Sequence, residues 1–162
     1  MVGDKGAEQA PQGAGDASRL LLELRFPAAA VELQAVRRAV REALAPCCAE
    51  QEICCAVLAV NEACMNIIQH AYGEEEQGEI ILQIYDAGEA LLFRLIDFAE
   101  PVDLSRIKSR CLEELRPGGL GVHLMNSVMD ECTFLKCPDG VGNVFQMVKK
   151  KRMRRNDDVS DT

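Results

Sequence analysis

Glu62, Asn66 and His70 follow one another at four-residue intervals in Ala59-Val60-Asn61-Glu62-Ala63-Cys64-Met65-Asn66-Ile67-Ile68-Gln69-His70-Ala71-Tyr72-Gly73. On an α-helix that spacing puts all three on one side, one turn apart. A carboxylate can take a proton from a nucleophile, and a carboxamide oxygen is a hard, neutral ligand suited to Mg²⁺. Glu62 and Asn66 are therefore candidates to act together on one object. On this stretch alone, a solvated polar face is the competing reading. Two further stretches can join it. Pro117-Gly118-Gly119-Leu120-Gly121-Val122-His123-Leu124-Met125 places three glycines at the mouth of an apolar-periodic segment. Such a loop lets backbone N–H groups approach an anion, and the helix behind it adds its dipole. Leu91-Leu92-Phe93-Arg94-Leu95-Ile96-Asp97 is an apolar strand ending in a single carboxylate.

These groups need elements to hold them. Val57, Val60, Cys64, Ile67 and Ile68 recur at helical spacing, so the Glu62 helix has a face to bury. That helix starts near Ala49 or Glu50, and Gly73 stops it. Residues 19–26 read as a strand with Leu20, Leu22, Leu24 and Phe26 on one face, although Leu21 breaks clean alternation. Residues 27–44 read as the first helix, with Val31, Ala35, Val36, Ala39, Val40 and Leu44 as its apolar stripe and Pro46 ending it. Arg37, Arg38, Arg41 and Glu42 fall outside that stripe. Residues 79–85 and 90–98 pair as a hairpin across Asp86-Ala87-Gly88-Glu89, and the second strand is apolar enough to be central. Residues 103–116 look helical behind Asp103 as N-cap, and 119–129 form another helix. Residues 131–137 and 143–148 are the last two strands. This order predicts an α/β fold, a two-layer sandwich whose mixed, mostly antiparallel sheet carries helices on one face. Residues 1–17 read as a flexible segment, 18–149 as the functional domain and 150–162 as a charged flexible tail. A solvated, frayed end is the default for the six basic residues within 149–155.

At 162 residues, 48% hydrophobic and 27% charged, the chain is an ordinary single globular domain. A net charge of −8 argues against nucleic acid as a direct partner and favours a basic protein surface. No run approaches transmembrane length and no basic-then-apolar leader opens the chain, so the expected location is the cytoplasm, without a membrane partner. The eight cysteines lack the spacing of zinc sites and read as buried free thiols acting as small hydrophobes.

The Glu-x-x-x-Asn-x-x-x-His helix, the strand-terminal Asp97 and the Gly-Gly-Leu-Gly loop, in that order, resemble the ATPase superfamily shared by gyrase, histidine kinases and MutL. Within it the chain resembles the anti-sigma factor serine kinases of bacterial partner switching, over roughly residues 20–149. The resemblance implies a histidine-kinase-type ATPase fold that uses ATP and Mg²⁺. It implies that Asn66 ligates Mg²⁺ between the phosphates and that Glu62 activates the attacking hydroxyl. Asp97 accepts from the adenine amino group. Gly118, Gly119, Leu120, Gly121 and Val122 serve the phosphates, and Asn143, where the family has Thr, stands at the adenine end with Ala99. His70 is structural, and 103–116 is a lid over the nucleotide. The implied partners are an anti-sigma factor antagonist protein, which is phosphorylated, a sigma factor, which is held, and a second copy in a homodimer.

Two positions depart from the family pattern. Asp97-Phe98-Ala99 replaces Asp-x-Gly, and a methyl at a positive φ costs about 1–2 kcal/mol, roughly tenfold in ATP affinity. Pro117 stands where relatives place Arg, with Arg116 one step earlier, which bears on transfer more than on binding. These departures favour an alternative, an ATP-dependent sequestering module with little phosphoryl transfer; the Glu62–Asn66 pair opposes it. An ATPase subunit of a larger assembly is a second alternative, opposed by the lack of a transducer segment after the last strand.

Overall fold

The computed structural model describes residues 18–72, 77–101, 120–137 and 142–152. Its strands are β1 (Arg19–Pro27), β2 (Glu79–Asp86), β3 (Ala90–Asp97), β4 (Glu131–Leu135) and β5 (Asn143–Lys150). Its helices are α1 (Leu33–Leu44), α2 (Glu50–Asn66) and α3 (Leu120–Val128). A 3₁₀ turn, Ala30–Glu32, precedes α1, and a π-helical turn, Ile67–Ala71, extends α2. The Gly73 stop, the 103–116 lid, residues 1–17 and residues 153–162 lie outside the described residues.

The sheet runs β1-β2-β3-β5-β4, and every described neighbour pair is antiparallel, so the expected mixed character gives way to a wholly antiparallel sheet. β3 is central, as its largely apolar run requires. Directly opposite residues share a face in an antiparallel pair. Ile84 thus aligns with Phe93 and Met147, and Leu82 with Leu95 and Phe145. These side chains, with Ile80, Leu91 and Phe26, meet Val36, Val40 and Leu44 of α1 and Ile53, Val60 and Cys64 of α2 in one core. All three helices therefore cover the same face. Ile81, Leu92 and Arg94 point to the opposite face and are buried outside that core.

Three local expectations are corrected. Leu21 is the extra residue of a bulge between Leu20 and Leu22, which sends Leu20 to the other face, 48% exposed, and leaves Leu22, Leu24 and Phe26 over the core. Pro27 closes β1 instead of opening a helix. The tighter 3₁₀ turn then puts Val31 outside, 84% exposed, and Leu33 takes the first buried position of α1. Among the described cysteines only Cys64 is buried, its thiol pushed up to about 12 by that burial; Cys54 is exposed.

A run of span length does exist. Glu50–Ala71 is 22 residues long and holds an 18-residue window with a mean hydropathy of 1.3. Its apolar positions Ile53, Ala56, Ala59, Val60, Ala63 and Cys64 are buried against the other elements, which is the packing of a core helix.

The basic end is partly tied down. Lys149 Nζ donates to Val128 O at 2.7 Å, and Lys151 Nζ meets Asp86 Oδ1 at 2.6 Å while its N–H donates to Glu89 O. The Lys151 hydrogen bond holds the Asp86 carboxyl below its ordinary range. A carboxylate with a depressed folded pKa stabilises the fold above its unfolded value, about 3.9, and loses that contribution as pH falls through the folded value. Lys151→Ala is expected to lower stability by about 1 kcal/mol at neutral pH, and the gap from wild type should close by about pH 2. Urea unfolding at both pH values measures it; a gap that persists in acid means the loss is not this ion pair.

Candidate functional site

The last residue of β3 and the first of β5 are directly opposite each other, and they are Asp97 and Asn143. Both are buried, Asp97 at 4% and Asn143 at 6% exposure. Asp97 Oδ1 accepts from Asn143 Nδ2 at 2.9 Å and from the Ala99 N–H at 3.1 Å. The second Asn143 Nδ2 hydrogen goes to Glu100 O at 3.1 Å. A buried carboxylate needs such donors, because burial without them is costly. Both clamp one oxygen. Oδ2 accepts from no other described residue, so the carboxylate offers one oriented acceptor at the end of the central strand.

Gly142 makes this packing possible. Its φ is +77°, and a Cβ there would lie 2.2 Å from the Asp97 carbonyl oxygen. Ala99 is buried in the core cluster and its N–H turns back to the preceding carboxylate, an Asx-type turn.

On α2, Glu62 and Asn66 are half-buried and neither side chain is engaged by another described residue. Their neighbour Asn61 differs, since its Oδ1 accepts from Arg37 Nη1 at 2.8 Å. The Glu62–Asn66 side is left with its polar groups uncommitted among the described residues. An uncommitted, half-buried amide oxygen one turn from a carboxylate fits a magnesium ion, which keeps most of its waters and needs few protein ligands.

His70 lies in the π-helical turn that follows α2. The π-helical turn begins at the residue after Asn66, and its closing bond runs from Tyr72 N–H to Ile67 O at 3.4 Å, five residues back. His70 is exposed there. Leu120, Gly121 and Val122 lie in α3, which packs against α2. Gly118, Gly119 and Pro117 fall outside the described residues.

Sequence reasoning passed over Tyr72. It is 7% exposed, and its hydroxyl accepts the Phe98 N–H at 2.7 Å and donates to Glu79 O at 2.8 Å. Only its place at the end of an apolar helix marked it in the sequence. Gly142 lies in the connection before the last strand with Gly140 two residues away, and nothing in the sequence says which must be glycine.

The family model for histidine kinase-like ATPase domains matches residues 26–149. A serine-protein kinase RsbW of Staphylococcus aureus is 30% identical over 145 residues, covering 83% of this chain and 91% of the relative. Those of Bacillus subtilis and Bacillus velezensis are 33% identical over 82 residues, 46% of this chain and 51% of each relative.

Proposed function

The chain belongs to the histidine kinase-like ATPase family, and on that premise we propose that it is an ATP-dependent serine-protein kinase acting as an anti-sigma factor. Its substrate is a serine of an anti-sigma factor antagonist, and its other partner is a sigma factor. The observation that carries the reading is the Asp97 carboxylate, clamped through Oδ1 and left with its second oxygen uncommitted among the described residues. The adenine amino group is a donor that suits it; guanine presents a carbonyl at the same position and is repelled.

With the base held at Asp97, the phosphates extend toward α2 and α3, which pack together. Asn66 Oδ1 would hold Mg²⁺, which supplies charge neutralisation between the phosphates when bound. Glu62 accepts the proton of the attacking serine hydroxyl as its oxygen bonds to the γ-phosphorus and the bond to ADP breaks. Residues 18–149 constitute the kinase domain, working in the cytoplasm with no direct role for nucleic acid or membrane. Leu20, 48% exposed on the face of the sheet opposite the helices, supports a homodimer.

Asp97→Asn tests the reading. The amide can turn its NH₂ toward the base, so ATP binding is expected to fall at least about tenfold while GTP binding falls less. Calorimetry with both nucleotides, beside labelled phosphate transfer to an antagonist protein, measures it. Equal wild-type affinity for ATP and GTP, or none for either, removes the adenine assignment.

A further inference from the structure

We infer that Tyr72 is a positioning residue for base recognition: its hydroxyl holds open the end of the β2–β3 ladder and thereby sets where the Asp97 carboxylate points. The inference rests on the reading of Asp97 as the adenine acceptor. The ladder's last pair is Ile80 with Asp97, so the next would be Glu79 with Phe98. Those two do not bond to each other. The Phe98 N–H donates to the Tyr72 oxygen at 2.7 Å, and the Tyr72 O–H donates to the Glu79 carbonyl at 2.8 Å. One phenol thus replaces one backbone bond and leaves both groups satisfied. Its oxygen stands between them, so they lie well beyond the roughly 2.9 Å of a direct bond.

This splay is what the site needs. Directly after Phe98 the chain turns, so that the Ala99 N–H reaches Asp97 Oδ1 and Glu100 O reaches Asn143. A ladder that continued through Phe98 would carry this segment along β2 instead. The ring is itself wedged. A Cβ on Gly78 would come within 2.2–2.4 Å of three Tyr72 ring atoms, and Gly78 is tied by its carbonyl to the Ala28 N–H at 2.8 Å. At its other end Tyr72 follows the π-helical turn that begins after Asn66. The metal-side helix and the base-side loop are therefore joined through one hydroxyl. Burial raises the phenol's pKa, which keeps the donor protonated at neutral pH.

Tyr72→Phe keeps the ring and removes the hydroxyl. ADP affinity, read by calorimetry, is expected to fall about tenfold with GDP affinity nearly unchanged, so the adenine-to-guanine preference shrinks by about the same factor. Circular dichroism checks that the variant is folded, and a wild-type preference in a folded variant overturns the inference whatever its melting temperature. In an Asp97→Asn background the same change should shrink the preference no further; an undiminished loss there shows that Tyr72 does not act through Asp97 and overturns it too. Gly78→Ala displaces the ring without touching the hydroxyl and should reproduce the loss, which keeps the test decisive if Tyr72→Phe does not fold. A wild type that binds ADP and GDP equally overturns the base-acceptor reading and this inference with it, an outcome visible before any variant is made.

Discussion

Glu62→Gln is expected to bind Mg·ATP as wild type does and to transfer phosphate about 10²–10⁴-fold more slowly. The amide is nearly isosteric with the carboxylate but cannot accept the serine proton. Glu62 is half-buried and unengaged, so the substitution breaks no contact among the described residues and its effect isolates the chemistry. Asn66→Ala should behave differently, because losing a metal ligand weakens triphosphate binding and transfer together. The two are separated by nucleotide titration run beside labelled phosphate transfer to an antagonist protein. A Glu62→Gln variant as active as wild type would take Glu62 out of the mechanism and leave positioning and electrostatics as the catalytic contributions, which phosphoryl transfer can allow.

Gly142→Ala is expected to damage both the fold and the site. At φ +77° an L-residue costs about 1–2 kcal/mol, and here the added Cβ also meets the Asp97 carbonyl oxygen at 2.2 Å. That neighbour is backbone of the central strand and cannot swing aside. Either β5 moves away from β3 at its first pair, or Asp97 moves, and both pull Asn143 Nδ2 from Asp97 Oδ1. A loss of roughly 2–4 kcal/mol in stability follows, with ADP affinity falling at least about tenfold. Gly88→Ala is the control. Its φ is +86° but a Cβ there meets nothing within 4 Å, so it carries the backbone cost alone and should leave ADP binding intact. If Gly142→Ala binds ADP as wild type does, the tight approach to Asp97 is not part of the nucleotide site.

Much of the fold was legible because its signals are local. Val60, Cys64 and Ile67 at helical spacing gave α2, and the apolar run 91–97 marked β3 as central. The errors arose where one residue changes a phase. Leu21 bulges and turns Leu20 over, and the 3₁₀ turn re-phases Val31. In each case the residue types fit either phase, and packing against a distant strand or helix chose between them. The cysteines were misjudged in part for a related reason, since hydrophobic character does not say which of seven described thiols is enclosed: Cys64 is, while Cys48 and Cys132 pack half-buried against the core.

By itself the sequence determined the pairing of Glu62 with Asn66 on one helix, the carboxylate at the end of an apolar strand, and the family. Residues four apart on a helix are neighbours whatever the rest of the chain does. Tertiary structure alone decided that β5 lies between β3 and β4, and with that came the site's working geometry. Asn143 reaches Asp97 across 46 residues of chain, and Tyr72 reaches Phe98 across 26. Such contacts are set by strand register and by the space a glycine leaves. Those follow from how whole elements pack and not from any pattern within one of them.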